Sequence, residues 1–324
     1  MEFRQLGRTG LTVSEIGYGA WGIGATMWVG AREDESVAAL HRAIELGVNF
    51  IDTARGYGES ERIVGSVVRD HPEVLVATKV PPKNGIWPAP DGLHPDETFP
   101  GDHIRQSLET SLAASGLEAF DLLQFHVWSD EWVGKGDWLE TIADLRREGK
   151  IRFFGVSVND YQPENVLELV RSGTVDTVQV IYNAWHQQPE EHLLPACAEH
   201  GVGVIVRVGL DEGGLTGRIT AESEFPEGDF RTSYFGGDRR AQVEQHVAAL
   251  VDELGIDVDE LPDIALRYVL DHSAVSTVIA GMRTVRNVER NAATSDGGRL
   301  SETQREVIRR HRWERNFYRS PSAT

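Results

Sequence analysis

Short apolar runs alternate with amphipathic segments along most of the chain. Eight runs are almost continuously apolar, which is typical of parallel strands buried on both faces. They cover residues 14–19, 48–52, 74–80, 121–127, 152–158, 176–182, 202–208 and 274–281. Helical spacing of apolar residues follows at 34–46, 102–112, 138–148, 163–170 and 189–200, and several of these segments are followed by a glycine, a common helix C-cap. This alternation predicts a (β/α)8 TIM barrel, an α/β fold.

Residues outside the eight repeats predict additions to the barrel. The opening FRQLGRTGLTV (3–13) predicts an N-terminal β-hairpin around the turn Gly7–Gly10. No linker divides the chain, so we expect one domain over residues 1–324. A barrel takes about 250 residues. The excess lies at 80–101, 127–137, 208–238 and in a C-terminal tail at about 295–324. Since the first three follow strands, we expect extended loops at the C-terminal face of the strands, with the tail packing near the pocket.

An open doubly wound sheet is the alternative fold. Residues 17–22, GYGAWG, satisfy the bare G-x-G-x-x-G spacing of a dinucleotide-binding turn. Bulky Tyr18 and Trp21 lie inside this motif, however, and no helical pattern begins until after Ala31. The barrel is therefore the preferred prediction.

Composition narrows the class of protein. The 324 residues are 40% hydrophobic and 26% charged, with a net charge of −19, which argues against nucleic-acid partners and anionic membranes. A single cysteine, Cys197, excludes an intramolecular disulfide and a cysteine-rich zinc site, and we expect no metal. No signal peptide and no apolar stretch of membrane-spanning length are visible, so we expect a cytoplasmic protein.

Polar residues that can carry chemistry lie at the ends of three successive predicted strands. Asp52 ends the second strand, Lys79 the third and His126 the fourth. Tyr57 follows Asp52 by five residues, in a short loop between two glycines. Because neighbouring strand ends converge in a closed barrel, we expect these four side chains to share one pocket.

The four residue types suit delivery of a proton to a carbonyl group. A buried lysine and aspartate satisfy each other's charge, and a nearby lysine is expected to lower the tyrosine pKa toward the range of a general acid. The histidine can donate a hydrogen bond to the carbonyl oxygen. Each residue alone is more simply explained by packing or an ion pair, but four compatible types at successive strand ends favour a catalytic site.

Several motifs in this order resemble the aldo-keto reductase superfamily. They are FIDTARGYGESE (50–61), VATKV (76–80), LLQFHVW (122–128), FFGVSV (153–158), VQVIYN (178–183), DEGGLTG (211–217) and IAGMRTVRNVERN (279–291). The likeness runs from about Phe3 to Asn291. It implies a barrel that binds an extended nicotinamide cofactor, with Tyr57 as general acid, Lys79 tuning it, Asp52 holding Lys79 and His126 orienting the carbonyl.

The resemblance also implies the cofactor contacts. NADP(H) is favoured, with NAD(H) as the alternative, because Arg283 suits a 2′-phosphate. The nicotinamide contacts are Ser157, Asn159 and Gln179, the pyrophosphate loop contains Gly213, Leu215 and Gly217, and the adenosine-end contacts are Gly281, Arg283, Asn287 and Asn291.

Three positions depart from the family pattern. Arg207 stands where many members stack an aromatic residue on the nicotinamide, and we include it among the cofactor contacts because a guanidinium also stacks on a flat ring. Gly209 replaces a frequent proline. Arg290 replaces a usual glutamate and adds positive charge near the 2′-phosphate.

The predicted substrate is a small molecule with an aldehyde or ketone group, including sugars and ketosugars, or the corresponding alcohol. Aromatic side chains suit the wall of such a pocket, and the candidates are Trp28, Trp87, Trp128 and Trp313. A non-catalytic nucleotide-sensing or regulatory subunit on the same barrel is the alternative function. The oligomeric state is left open.

Overall fold

The computed structural model describes residues 1–314, and it begins with an antiparallel hairpin. Strands β1 (Phe3–Gln5) and β2 (Thr12–Ser14) pair with Arg4 opposite Val13. A 3-10 turn, Gly7–Thr9, lies between them. This confirms the predicted N-terminal hairpin.

Eight further strands close a parallel barrel. They are β3 (Ile16–Gly19), β4 (Phe50–Asp52), β5 (Leu75–Val80), β6 (Phe120–Phe125), β7 (Ile151–Ser157), β8 (Thr177–Ile181), β9 (Gly203–Arg207) and β10 (Val275–Gly281). They pair in chain order, and β10 pairs with both β9 and β3 to close the barrel. Six strands lie within the predicted apolar runs, and β6 and β7 begin one residue before theirs, which confirms the (β/α)8 prediction.

Helices surround the barrel and extend its connections. Within residues 1–314 they are α1 (Glu33–Glu45), α2 (Ser60–Val68), α3 (Pro95–Thr98), α4 (Gly101–Ser115), α5 (Trp138–Arg147), α6 (Leu167–Ser172), α7 (Leu193–His200), α8 (Phe230–Tyr234), α9 (Arg239–Leu254), α10 (Leu261–Asp271), α11 (Val285–Ala293) and α12 (Glu302–Arg310). None of these described helices has the length and apolar character needed to cross a membrane.

Two helices differ from the prediction. The helix expected at 163–170 begins only at Leu167, because the Asp130 carboxylate accepts hydrogen bonds from the backbone N–H groups of Glu168 (2.7 Å) and Leu169 (3.2 Å) and fixes the first turn there. The segment at 189–200 divides into a 3-10 turn, Gln188–Glu190, and α7. Residues 164–170 contain no glycine or proline that signals the first break, whereas Pro195, which has no backbone N–H to donate across the gap, marks the second.

The hairpin seals one end of the barrel interior. Leu6 and Val13 are fully buried, and they pack with Phe50, Leu122 and Ile205 from the barrel strands. A larger apolar cluster fills the space between the strands and the helices. With its N-terminal end closed, the barrel has its cavity of about 780 Å³ at the C-terminal ends of the strands.

The long connections lie where the sequence places them. Those between β5 and α4, between β6 and α5 and between β9 and α9 all leave the C-terminal ends of strands. In the tail, α12 packs on α9 through the ion pair of Arg310 with Glu253, and Trp313 N–H donates to the carbonyl of Trp185 (3.0 Å). Residues 315–324 of the predicted tail lie outside the described part of the chain.

Gly65 allows α2 to approach the end of α4, and it supports a stability prediction. A Cβ at Gly65 would lie 1.9 Å from the carbonyl oxygen of Ser115. Gly65→Ala is therefore expected to lower the free energy of unfolding by about 1–3 kcal/mol, although alanine has the higher helix propensity. Urea denaturation measures this. Gly56→Ala is the control, because its Cβ would meet no atom within 4 Å. An unchanged or raised stability of Gly65→Ala would contradict the packing argument.

Candidate active site

One cavity of about 780 Å³ occupies the C-terminal face of the barrel. Residues at the ends of several strands line it, among them Gly19, Asp52, Ser157 and Arg207. The connection after β9 contributes much of the remaining wall. The cavity is therefore built where barrels of this kind place their sites.

The four predicted catalytic residues meet at the floor of this cavity. Lys79 is fully buried; its ammonium forms an ion pair with Asp52 and donates to the carbonyl of Thr53 (2.9 Å). The Tyr57 hydroxyl lies 3.5 Å from Lys79 Nζ and 3.3 Å from His126 Nε2. β4, β5 and β6 are adjacent in the barrel, which brings these side chains together.

Two glutamine side chains complete the environment of Asp52. Its Oδ1 accepts hydrogen bonds from Gln124 Nε2 (3.0 Å) and Gln179 Nε2 (2.8 Å). All three residues are buried. The two glutamine amides thus hold the Asp52 carboxylate in place, and the position of this carboxylate fixes that of Lys79.

The pKa values of these groups correct one prediction. Burial raises the pKa of Tyr57 well above its usual 10.0, and the charge of Asp52 raises it further. The expected lowering of the Tyr57 pKa is wrong for this structure, because burial and the charge of Asp52 outweigh the effect of the neighbouring lysine. Burial, then the charges of Lys79 and Arg207, hold the pKa of His126 well below 6.5, so its imidazole is neutral. Burial also lowers the pKa of Lys79.

Eight of the eleven predicted cofactor contacts line the cavity. These are Ser157, Gln179, Arg207, Gly213, Gly281, Arg283, Asn287 and Asn291. A Cβ at Gly213 or Gly281 would meet no atom within 4 Å, so both backbones face open space. The cavity has amide and hydroxyl groups at its floor, bare backbone in its middle and guanidinium groups at its far end. This order of groups fits an extended dinucleotide with anionic phosphates.

The other three predicted contacts have different surroundings. The Asn159 amide joins two loops, since it accepts from Ala89 N and Trp128 N (3.3 Å each) and donates to Ala89 O (3.1 Å). Leu215 is fully buried in the apolar core. A Cβ at Gly217 would lie 2.3 Å from Val258 Cγ2. None of these three belongs to the cavity wall.

Only two of the four predicted substrate-pocket tryptophans line the cavity. Trp87 packs edge-on against His126, with ring centroids 4.5 Å apart, and Trp28 lies under the guanidinium of Arg231. Trp128 is instead fully buried and donates to Asp130 (3.0 Å). Trp313 stacks on His246, outside the cavity. Sequence alone did not separate wall tryptophans from those that pack the loops.

Two loops meet across the cavity in a way that the sequence did not indicate. The backbone N–H of Phe230, in the connection after β9, donates to the carbonyl of Met27 after β3 (2.7 Å). The rings of Trp21 and Phe230 lie 5.0 Å apart, and Arg283 Nη1 donates to the carbonyl of Val29 (3.2 Å). These contacts bridge the cavity between its floor and its far end.

Many further lining residues were missed, among them Arg286, Asp160 and Glu212. Arg286 lies at the far end with Arg283 and Arg290, and its position one turn before Arg290 on α11 was a usable signal. Asp160 and Glu212 line the cavity near the catalytic floor. Asp160 Oδ1 accepts a hydrogen bond from Arg207 (2.6 Å), and the Arg207 guanidinium also donates to Val158 O (3.0 Å).

A (β/α)8 barrel with this polar floor fits an oxidoreductase that uses a nicotinamide cofactor. The model of the Aldo/keto reductase family matches residues 15–312. The chain therefore belongs to this family of enzymes, which act on carbonyl substrates with nicotinamide cofactors.

Named relatives span different substrates. The L-galactose dehydrogenase of Arabidopsis thaliana is 33% identical over 310 residues, covering 90% of this chain and 88% of that protein. The NADH-specific methylglyoxal reductase of Escherichia coli is 28% identical over 306 residues, covering 89% and 91%. The holo form of aldo-keto reductase AKR11C1 from Bacillus halodurans superposes with a TM-score of 0.74 at 26% identity, covering 96% of both chains.

The carboxyl group of Glu212 gives a pH-dependent stability prediction. Burial, then the charge of Asp211, raises its pKa from 4.5 to about 8. A raised carboxyl pKa destabilises the fold as pH rises from the unfolded value to the folded one. Glu212→Gln is therefore expected to gain stability relative to the wild type between about pH 5 and pH 8.

Urea denaturation of both proteins at several pH values measures this difference. Glu224→Gln removes a carboxylate from the exposed part of the same loop and is the control. A difference between Glu212→Gln and the wild type that does not change with pH, or that falls as pH rises, would refute the assignment.

Proposed function

We propose that this enzyme is an NADP(H)-dependent reductase that converts an aldehyde or ketone, including sugars and ketosugars, into an alcohol. The observation that carries the proposal is the position of the Tyr57 hydroxyl, which lies 3.3 Å from His126 and 3.5 Å from Lys79 at the floor of a cavity. Three arginines line the far end of the same cavity. Proton delivery and cofactor binding are thus supported by one connected space.

The floor residues divide the work of proton transfer. Tyr57 is protonated, as its raised pKa requires, so its hydroxyl can donate to a carbonyl oxygen. The neutral imidazole of His126 can donate a second hydrogen bond to that oxygen. Lys79 stabilises the phenolate that remains after proton transfer, and Asp52 holds Lys79 in place. The bound nicotinamide would supply the hydride to the carbonyl carbon.

The arginines favour a cofactor with a 2′-phosphate. Arg283, Arg286 and Arg290 would surround the adenosine end, where a guanidinium can bind a phosphate through two hydrogen bonds. Ser157 and Gln179 would hold the carboxamide at the other end. NAD(H) is the second candidate, because one relative is named as NADH-specific and Arg283 already donates to Val29 O.

A non-catalytic role receives no support from the site. The four floor residues lie within hydrogen-bonding or ion-pairing reach of one another, which a nucleotide sensor does not need. A relative named as a sugar dehydrogenase supports including sugars among the substrates. Trp87 beside His126 adds an aromatic surface for the apolar face of such a molecule.

Tyr57→Phe tests the proton donor. Removal of the hydroxyl is expected to lower kcat for carbonyl reduction by about 10²- to 10⁴-fold. Binding of NADPH, followed by quenching of tryptophan fluorescence, is expected to stay within about threefold, since Tyr57 is not assigned a cofactor contact. Trp87→Phe, which keeps a ring beside His126, is the control for general disturbance of the pocket. Full activity of Tyr57→Phe would overturn the mechanism.

Fluorescence titration with NADPH and NADH tests the cofactor. We expect tighter binding of NADPH, and we expect Arg286→Met to weaken NADPH binding by about 10-fold or more through loss of a charged hydrogen bond. NADH binding should change little. Arg171→Met, which removes an exposed charge on α6, is the control. Preferential binding of NADH would reject the assignment of NADP(H), and binding of neither would reject the proposed function.

A further inference from the structure

The connection after β9 holds an unusual run of backbone conformations beside the catalytic floor. Asp211, Glu212 and Gly213 have φ values of 49°, 53° and 103°. Val208, just before them, has φ 58°. Residues other than glycine rarely adopt this left-handed region, so the surrounding structure must hold them there.

Asp211 supplies that anchor. Its carboxylate accepts hydrogen bonds from Arg239 Nη2 at both oxygens (2.9 and 2.8 Å) and from the Tyr234 hydroxyl (2.7 Å). Arg239 and Asp211 are both buried. A Cβ at Gly214 would lie 2.4 Å from Asp211 Oδ2, so the chain packs closely around the anchor. The backbone of Glu212 is therefore fixed immediately after a buried ion pair.

The anchored backbone places Glu212 in the wall of the cavity that also contains Tyr57 and His126. Within residues 1–314, no hydrogen bond or ion pair involves the Glu212 carboxylate, whereas the neighbouring Asp160 is paired with Arg207. Glu212 thus presents its carboxyl group to whatever enters the cavity, and with a pKa of about 8 this group keeps its proton at neutral pH.

The charges around Glu212 select the kind of ligand. Arg207 faces the same space and repels a cation, while the carboxylate of Asp160, which pairs with Arg207, disfavours an anion. A neutral molecule with several hydroxyl groups avoids both penalties, and its hydroxyl groups can donate to and accept from the carboxyl group of Glu212. Trp87, which donates to Asp160 Oδ2 (3.4 Å), adds a flat apolar surface on the same side.

We propose that Glu212 is a specificity-determining residue that accepts hydrogen bonds from the hydroxyl groups of a neutral polyhydroxy aldehyde or ketone. This inference rests on the proposed carbonyl reduction. Under this proposal, the connection between β9 and α9 recognises the hydroxyl groups of the substrate, whereas Tyr57 transfers the proton. Removal of the Glu212 side chain should therefore affect hydroxylated substrates and spare those that lack hydroxyl groups.

Two matched aldehydes test the proposal in the purified enzyme with NADPH. Erythrose and butanal have the same number of carbons and differ in their hydroxyl groups. Glu212→Leu is expected to lower kcat/KM for erythrose by about 5- to 10-fold, the loss of a hydrogen bond between neutral groups, with most of the change in KM. Butanal should change by less than about threefold. Glu224→Gln should leave both substrates unchanged.

Glu212→Gly is a second variant that distinguishes loss of the carboxyl group from disturbance of the loop backbone. Glycine adopts φ 53° without a steric penalty, so this variant removes the carboxylate and keeps the loop conformation. It should melt at or above the wild-type temperature and reproduce the selective loss for erythrose. Equal losses for erythrose and butanal in both variants would overturn the proposal, since they would show that Glu212 acts on the loop or on catalysis in general.

Charged aldehydes and an inert polyol complete the test. The wild type should prefer erythrose to succinic semialdehyde and to 4-aminobutanal, and a preference for the aminoaldehyde that Glu212→Leu removes would overturn hydroxyl recognition. Binding of xylitol, followed by tryptophan fluorescence, should be lost in Glu212→Leu and kept in Glu224→Gln. If the wild type reduces no aldehyde, the proposed function fails, and xylitol binding still decides the role of Glu212.

Discussion

The buried ion pair between Lys79 and Asp52 is the interaction on which the site and much of the barrel depend. Removing two charges from water costs several kcal/mol per ion, and good geometry must repay that cost. Here the carbonyl of Thr53 and the amides of Gln124 and Gln179 supply the remaining hydrogen bonds. These partners come from four strands and the turn after one of them, so the pair is satisfied only when the barrel closes in register. Formation of the fold and assembly of the catalytic floor are therefore one event.

The two ends of the barrel differ in structure: one is filled by apolar side chains and the other forms the cavity. At the N-terminal end, the hairpin fills the interior with Leu6 and Val13 and leaves no room for a ligand. At the C-terminal end, the long connections are separated around the cavity floor. They come into contact above it through Phe230, Met27 and Arg283. The cavity is consequently closed below by apolar packing and bridged above by hydrogen bonds, which are easier to break than a packed core. This difference suits a stable scaffold that must admit an extended cofactor.

Strand positions and the four floor residues were predictable because each depends on a short stretch of sequence and on barrel closure. The wall of the cavity was less predictable. Trp87 and Trp128 occupy similar places in sequence, yet one lines the cavity and the other is buried with no exposure, because the fate of each ring depends on loops that pack against it. The pKa of Tyr57 was predicted in the wrong direction, since its sign depends on a balance of burial and several charges. The sequence did not indicate a role for Glu212, because its exposure to the cavity depends on the buried ion pair of Asp211 with Arg239.

The charged groups around Arg207 explain why a departure from the family pattern is tolerated. An arginine at the end of β9 brings a positive charge within reach of Tyr57, Lys79 and His126, whose pKa values it lowers. Alone, this charge would destabilise the protonated Lys79. Asp160 pairs with Arg207 directly, and Glu212 adds a second carboxyl group on the same side. The positive charge of Arg207 is therefore accounted for together with the two acidic side chains beside it, Asp160 and Glu212. The usual aromatic residue at the end of β9 would bring no positive charge for the Asp160 carboxylate to balance.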